Sequence, residues 1–538
     1  MKRNILKLLL SAAFVMCCTV MAWADLGTPP DKEIWYTTDN GKKLTAGKYD
    51  VGKPLCGSTI SEHGGKNGHY YIKFDAFIEY IGESDFNSED HITEVSLPNT
   101  ITSIRDKAFN DCDGLVTFHM PNSVINLGYC AFYHCDKLKN LTLGSGLKYI
   151  GSYGEKYGVF EECNALEAVA IPASVTLLGR NAFYDCDSLK FVAIGSGVTS
   201  ITEQAFYHCA ELKSVVIDNE AGLTIGEKAF KNCKKLESVS FLGNTPPTSF
   251  GSDCFYNCPV KYHVLEEYYE TYNANSFMSG KVVAGPPYNE IWYSTNNGGT
   301  AEKSRIPKDR PKLNAYMGNH GVQFFDGNPP ELSSSYNCFQ NCANLVSVVL
   351  PSSITFIGQS AFDKCSSLVS VSIPGTVTGI GDYAFQECQN LQDIKLPAGL
   401  DYIGNCAFYG CSSLQSIAIP SRVNTIPEFA FIDCSSLRSV TFLGTIGNIG
   451  EFAFNSCSNL SEVFYLGDGT PECVTTGAQA SFKSSPATIY VKDVAGHGNW
   501  GDRPVRSWRS GRGDGSAANH LEIGNYPQLY GFSLEVKY

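Results

Sequence analysis

The chain has 538 residues and a formal net charge of -13. This acidic balance argues against nucleic-acid binding, which needs a basic face. The length alone suggests more than one domain.

The first 24 residues have the composition of a secretory signal peptide. Lys2 and Arg3 supply the basic end, residues 5–20 are mostly apolar, and residues 22–24 (AWA) form a small-residue cleavage site. The apolar run is short for a bilayer, and no later stretch is long and apolar enough to span one. We therefore expect an exported protein, secreted or at the cell surface with the periplasm possible, and no transmembrane segment after signal removal.

Two regions of the chain repeat one short pattern. A phenylalanine is followed after three residues by a cysteine and after three more, in most copies, by an aliphatic residue. In the first array, about 81–259, the phenylalanines are Phe109, Phe132, Phe160, Phe183, Phe206, Phe230 and Phe255. In the second, about 331–491, they are 23 residues apart, at Phe339, Phe362, Phe385, Phe408, Phe431 and Phe454. A fixed step of this length indicates a repeat protein.

Each unit has the spacing of a short strand followed by a turn. After Leu368, Val371 and Ile373 alternate with polar residues, Pro374 ends the strand, and Gly381 permits a tight bend. One unit is too short to close a core of its own. We therefore expect the units to stack, so that their apolar positions form one continuous core.

The pattern I-G-x-x-A-F-x-x-C-x-x-L-x-x-V-x-I-P is approximated at residues 380–397 and 403–420. It closely resembles the BspA-like leucine-rich repeat of exported and surface proteins of bacteria. The resemblance implies an α/β repeat fold that is mostly β. This fold is a right-handed solenoid with a parallel sheet on one face and turns or short 3₁₀ helices on the other, here in two tandem arrays. It also implies a general role in adhesion or macromolecular binding, without a particular ligand.

Cysteine is abundant for an exported chain. The two cysteines of the predicted signal leave 19 of the 21, an odd number that cannot pair completely within the chain. Thirteen occupy the repeat position, which is explained by a ladder of buried thiols or by occasional disulfides between adjacent coils. We expect no metal site and no cofactor. C-x-x-C is absent, and His134 and His208 directly precede repeat cysteines rather than standing at ligand spacing.

The second half of the chain duplicates the first rather than continuing its array. Residues 33–41 (EIWYTTDNG) almost recur at 290–298 (EIWYSTNNG). We predict a signal peptide at 1–24, a first module at 25–286 with a cap at each end of its array, a second module at 287–494 that also begins with a cap, and a tail at 495–538. Gly285-Pro286-Pro287 marks the break between the modules.

The candidate ligand-binding residues come from two places. One is the set of strand positions that point away from the core, where most side chains are small and the prominent ones are His119, Phe191, Asp393, Lys395 and Phe464. The other is the insertion at residues 151–159 (GSYGEKYGV). Because extra residues in a solenoid loop outward, we expect protruding side chains at Tyr153, Lys156 and Tyr157.

No catalytic motif is present. The chain contains no G-x-S-x-G, no H-E-x-x-H and no phosphate loop, and no partner for His119 is evident in the adjoining coils. We therefore expect that this protein is not an enzyme. The pattern favours a protein that binds an extracellular or host macromolecule. We expect this partner to be a protein rather than a glycan. Glycan capture and passive surface scaffolding are the alternatives.

Overall fold

Short strands make up most of the protein. The computed structural model describes residues 28–45, 47–66, 68–152, 154–219, 222–297, 300–301, 313–317, 320–325, 332, 339–468, 471–473, 480–491 and 505–507. The chain divides into two units, Met1–Ala284 and Gly285–Tyr538. Within the described residues, no helix has the length and hydropathy of a membrane span.

An antiparallel cap begins the first unit. Its strands are β1 (Glu33–Thr38), β2 (Pro54–Leu55), β3 (Ser58–Lys66) and β4 (His69–Phe74), with a 3₁₀ turn at Gly47–Tyr49. One edge of β1 pairs with β4 and the other with the first long strand of the array. Tyr36 and Tyr49 are buried, and the Tyr49 ring stacks on Phe86 at 5.8 Å. The cap therefore closes the open end of the array core.

Each coil of the first array contributes a two-residue strand and a longer one. The short row is β5 (Tyr80–Ile81), β7 (Ser103–Ile104), β9 (Asn126–Leu127), β11 (Tyr149–Ile150), β13 (Leu177–Leu178), β15 (Ser200–Ile201), β17 (Thr224–Ile225) and β19 (Ser249–Phe250). The long row is β6 (Ile92–Ser96), β8 (Thr117–His119), β10 (Asn140–Thr142), β12 (Ala168–Ile171), β14 (Phe191–Ile194), β16 (Ser214–Ile217), β18 (Ser238–Phe241), β20 (Lys261–Val264) and β21 (Val282–Ala284). Neighbours within each row pair in parallel, as in Leu177↔Ser200 and Val192↔Val215, except that the long row is interrupted between β10 and β12. The array is thus a solenoid, and it has a second, narrow sheet beside the expected one.

A short helix ends the first array. A 3₁₀ turn at Glu266–Tyr268 leads into α1 (Tyr269–Asn273), which lies between β20 and β21. Tyr272 of α1 is buried, and its hydroxyl donates to the Gly243 carbonyl oxygen at 2.8 Å. This bond ties the helix to the last coils.

The second unit repeats this plan. Its strands are β22 (Glu290–Thr295), β23 (Leu313–Tyr316), β24 (Gly321–Phe324), β25 (Leu345–Val349), β26 (Phe356–Ile357), β27 (Ser370–Ser372), β28 (Gly379–Ile380), β29 (Tyr402–Ile403), β30 (Ser416–Ile419), β31 (Thr425–Ile426), β32 (Ser439–Phe442), β33 (Asn448–Ile449), β34 (Glu462–Tyr465), β35 (Glu472–Cys473), β36 (Thr488–Val491) and β37 (Val505–Ser507). Like β1, β22 pairs antiparallel on both sides, with β24 and with β25. The repeated EIWY segment therefore plays the same structural part in both units.

The core of each array is a column of stacked phenylalanine rings. In the second array the Phe385 ring lies 5.1 Å from Phe362 and 5.3 Å from Phe408, with ring planes within 6° of parallel. Phe385, Cys388 and Leu391 are all fully buried. The first array has the same column from Phe86 to Phe255, at 5.1–5.2 Å per step. The predicted continuous core is confirmed.

The repeat cysteines form a second column beside the rings. The Cys388 thiol donates to the Phe362 carbonyl oxygen at 3.1 Å, and Cys411 donates to the Phe385 carbonyl oxygen at 3.2 Å. All thirteen repeat cysteines are free. Burial raises the pKa of Cys388, so its thiol stays protonated and unreactive. These contacts agree with the buried-thiol interpretation.

Phe385→Ala tests the ring column. Removing a fully buried ring that packs on both faces leaves a cavity, and we expect the free energy of unfolding to fall by about 3–5 kcal/mol. Urea denaturation followed by circular dichroism measures this change. Tyr402→Ala, at a side chain that is 48% exposed in the same array, is the control and should change stability far less. Equal effects of the two substitutions would contradict the column as the source of stability.

Candidate functional site

His119 lies at the end of β8 and is half-buried. Its Nδ1 lies 3.1 Å from the Thr142 hydroxyl oxygen on the neighbouring strand β10, so the expectation that His119 has no partner is wrong. It lines a recess of about 440 Å³ together with Ser96, Asn99 and Asn122.

Phe191 is fully buried, so its predicted exposure on the sheet face is wrong. All four residues of each of the strands β14, β16 and β18 are buried, which means that both faces of this part of the sheet are covered. The sequence carries a signal for this. FVAI in β14 and SVVI in β16 lack the polar alternation of a half-exposed strand and have the nearly continuous apolar character of strands buried on both sides.

Asp393 and Lys395 are exposed, but they do not lie on a strand as predicted. Residues 391–397 form no strand, and the long row of the second array is interrupted between β27 and β30. Asp and Lys have low strand propensity, which weakens this coil relative to its neighbours. The Gln392 N–H still donates to the Val369 carbonyl oxygen, at a long 3.4 Å.

Phe464 lies in β34 and is half-buried. Its ring stacks on Tyr490 of the adjacent strand β36, with ring centroids 5.3 Å apart. One face of the ring is therefore occupied by the protein itself. This reduces the area that Phe464 offers to a ligand.

The insertion lies against the array more closely than predicted. Lys156 is exposed, but Tyr157 is half-buried because its ring packs edge-on against Tyr133 at 5.5 Å and lies 6.2 Å from Tyr129. The predicted protrusion of Tyr157 is thus wrong. Tyr153 lies outside the described residues.

Glu161 anchors the end of this insertion. Its side chain is buried, and Oε2 accepts a hydrogen bond from the Gly158 N–H at 2.6 Å. Asn181 holds the same loop by donating to the Lys156 carbonyl oxygen at 3.0 Å. Burial, reinforced by the charge of Glu162, raises the pKa of Glu161 to about 7.

A polar groove crosses four coils of the second array. It has a volume of about 230 Å³ and is lined by Gln392, Ser413, Gln415, Ser436, Arg438 and Asn459. These residues come from two columns, one directly after the repeat leucine and one two residues after the repeat cysteine. Backbone bonds hold the first column in line, from Gln415 N–H to Gln392 O at 3.2 Å and from Arg438 N–H to Gln415 O at 2.8 Å.

Sequence reasoning missed the groove because it considered only strand positions as outward-facing. The signal was available in the repeat itself. The position after the repeat leucine reads Gln, Gln, Arg in three successive coils, where long polar side chains replace the small ones common on the strands.

Two groups of side chains have the composition of metal ligands. Asp113, His134 and Asp136 form one, and Asp185, Asp187 and His208 form the other; within each group the ligand atoms lie within 4.8 Å of one another. The expectation of no metal site considered spacing along one stretch of chain. In the solenoid, the ligands come from adjacent coils.

Glu161→Gln tests the buried carboxyl. A folded-state pKa of about 7, above the usual 4.5, means that the folded protein binds this proton more tightly than the unfolded chain. Stability from this group is therefore present below about pH 4.5 and is lost as pH rises through 7. Since glutamine can still accept from Gly158, we expect the variant to be more stable than wild type at pH 8, by roughly 2 kcal/mol.

Urea denaturation at pH 5 and pH 8 measures this difference. Glu79→Gln, which removes an exposed carboxylate of the same unit, is the control and should leave the pH dependence unchanged. A Glu161→Gln protein that loses stability between pH 5 and pH 8 as wild type does would contradict the assignment.

The repeat can be compared with known proteins. The model of the BspA type leucine rich repeat region matches the chain in six copies, over residues 70–154, 156–282 and 333–461. The chain matches no curated protein. It is similar to the solved structure of a leucine-rich repeat protein from Bacteroides ovatus, with 21% identity, 86% of this chain and 99% of that chain covered, and a TM-score of 0.30.

Two further structures are similar. One is a T. pallidum leucine-rich repeat protein, with 26% identity, 30% of this chain and 74% of that chain covered, and a TM-score of 0.28. The other is a leucine rich cell surface protein from Faecalibacterium prausnitzii, with 21% identity, 81% and 94% covered, and a TM-score of 0.26. Because the family model covers more than half of the residues, the chain belongs to the BspA-type leucine-rich repeat family.

Proposed function

We propose that this protein is a non-catalytic, exported or cell-surface binding protein that holds an extracellular macromolecule on its second array. Its family is one of bacterial surface proteins with repeats suited to protein binding. The observation that carries the proposal is the polar groove lined by Gln392, Gln415 and Arg438 in successive coils. Solenoids commonly bind along such extended surfaces.

The dimensions of the groove suit an extended chain. Four stacked coils span three steps, or about 14 Å, which is the length of about four residues of extended peptide. The glutamine amides both donate and accept hydrogen bonds, as peptide groups do, and the Arg438 guanidinium can bind a carboxylate in a bidentate manner. This combination favours a peptide segment with an acidic side chain.

The side chains that line the groove also favour a protein partner over a glycan, and a binding function over a catalytic one. None of the six lining side chains is aromatic, so a sugar ring would find no platform within the groove. Arg438 is the single ionisable side chain among the six, whereas general acid–base chemistry needs groups that exchange protons near neutral pH.

Arg438→Ala and Gln415→Ala test the groove. A panel of extracellular-matrix proteins and mucins is first screened for saturable binding to the wild-type protein. For a partner found in this way, we expect each substitution to weaken affinity by about tenfold or more, because central interface residues contribute most of the binding energy. Surface plasmon resonance measures the affinities.

The matched control is Arg422→Ala, which removes an exposed arginine of the same array outside the groove and should leave affinity unchanged. Unchanged affinity of the partner for both groove variants would refute the proposed surface. A glycan array that gives saturable binding, while the protein panel gives none, would favour glycan capture instead.

Export is a separate part of the proposal, and the composition of residues 1–24 supports it. We expect the mature protein to begin at Asp25. N-terminal sequencing of protein recovered outside the cytoplasm of a bacterial host checks this. Replacement of Ala22 and Ala24 by bulky residues should block processing. Wild-type protein that also stays unprocessed in the cytoplasm would contradict export.

A further inference from the structure

His134 lies among carboxylates at one edge of the first array. Its Nε2 is 3.0 Å from Glu162 Oε2 on the next coil, and its Nδ1 is 3.6 Å from Asp111 Oδ1 on the previous coil. Asp113 and Asp136 also place oxygens within 4.8 Å of the imidazole and of each other. One imidazole is therefore surrounded by four carboxyl groups.

The backbone fixes these side chains at the edge. Asp111, His134 and Glu162 each directly precede a repeat cysteine, and all three are in the left-handed region, with φ of 54°, 62° and 61°. Asp, Asn and His tolerate this conformation better than most residues. Stacking of the coils then brings the three residues into one column, although 23 and 28 positions separate them along the chain.

One carboxylate oxygen of Asp113 adds an independent observation at this edge. Its Oδ1 is shielded from solvent and has no hydrogen-bond partner. In the described part of the chain, no lysine or arginine forms an ion pair with Asp111, Asp113 or Asp136. A buried carboxylate oxygen without a donor or a cation is costly.

We propose that Asp113, His134 and Asp136 bind a divalent cation, with Zn²⁺ as the best fit. Two carboxylates and one imidazole are ligands that Zn²⁺ accepts, whereas Ca²⁺ and Mg²⁺ prefer oxygen alone. Ligand atoms at 2.0–2.2 Å from a tetrahedral ion lie about 3.4 Å apart, so modest side-chain rotations from the observed separations suffice. A bound ion gives the Asp113 carboxylate a cationic partner and offsets repulsion between the aspartates.

Glu162 orients the ligand histidine. A proton on His134 Nε2 is donated to the Glu162 carboxylate at 3.0 Å, which leaves Nδ1 unprotonated as the metal ligand. A carboxylate behind the ligand imidazole is a common feature of zinc sites. Binding requires neutral imidazole and releases protons, so affinity falls as pH is lowered.

The array builds a related group a second time. His208 precedes a repeat cysteine as His134 does, and it meets Asp185 and Asp187 of the previous coil. Asp187 is exposed, and the buried, unpartnered oxygen that marks the first group is lacking among the three residues described here. We therefore assign the tighter site to His134.

Zn²⁺ binding to chelator-treated, untagged mature protein tests the proposal by isothermal titration calorimetry. His134→Asn is the main variant because asparagine occupies the equivalent position at Asn232, with φ of 67°, and so preserves the backbone. We expect His134→Asn and Asp136→Asn to weaken Zn²⁺ binding by about tenfold or more. Zn²⁺ should raise the thermal unfolding midpoint of wild type clearly more than that of His134→Asn.

His91→Asn is the matched control. His91 also meets a carboxylate, Asp39, at 2.9 Å, but it lacks the further carboxylates that surround His134. Its variant should bind Zn²⁺ as wild type does. Absence of Zn²⁺ binding to wild type, undiminished binding by His134→Asn, or loss that follows His208→Asn instead would each overturn the proposal. The outcome does not depend on the proposed macromolecular partner.

Discussion

The vertical stacking of one coil on the next is the constraint on which the rest of the structure depends. Phenylalanine rings repeat at 5.1–5.5 Å along both columns, close to the 4.7–4.9 Å between neighbouring strands. The thiol of a repeat cysteine fits beside the ring and donates to the backbone of the coil before it, as at Cys135 and Cys434. Because ring and thiol hold each coil in register, the remaining residues of the repeat also lie above their counterparts in the preceding coil. Surface chemistry is thereby organised in columns.

Much of the fold follows from the sequence for this reason. The step of 23 residues places Phe385, Cys388 and Leu391 in the core without knowledge of any other contact. The two-residue strands, such as β29, could not be predicted, since two residues carry no alternation. The missing strand at residues 391–397 was also hard to predict, because its apolar residues keep the register and remain buried. Only the low strand propensity of Asp393 and Lys395 marks the weakened backbone pairing.

The candidate site was harder to predict because register alone does not say which surface is open. Period-two alternation separates two faces of a strand, yet Phe191 lies on a strand whose two faces are both covered. The groove lies at Gln415 and Arg438, outside the core of the repeat pattern that defines the family. Sequence motifs for metal sites require that the ligands lie close together along the chain. Asp111 and His134 become neighbours only through one turn of the solenoid.

The same constraint explains how two arrays with one core can differ in chemistry. The position before the repeat cysteine holds His134 in the first array and Gly410 in the second, and both have positive φ, so the position accepts any residue that tolerates the left-handed region. A substitution there alters one rung of a surface column at little cost to the core. Ring stacking therefore leaves these surface positions free to vary. An acidic, histidine-containing edge and a groove lined by amides and an arginine can arise on coils that are otherwise alike. Differences in binding between the arrays therefore come from the side chains in these surface columns and not from the fold.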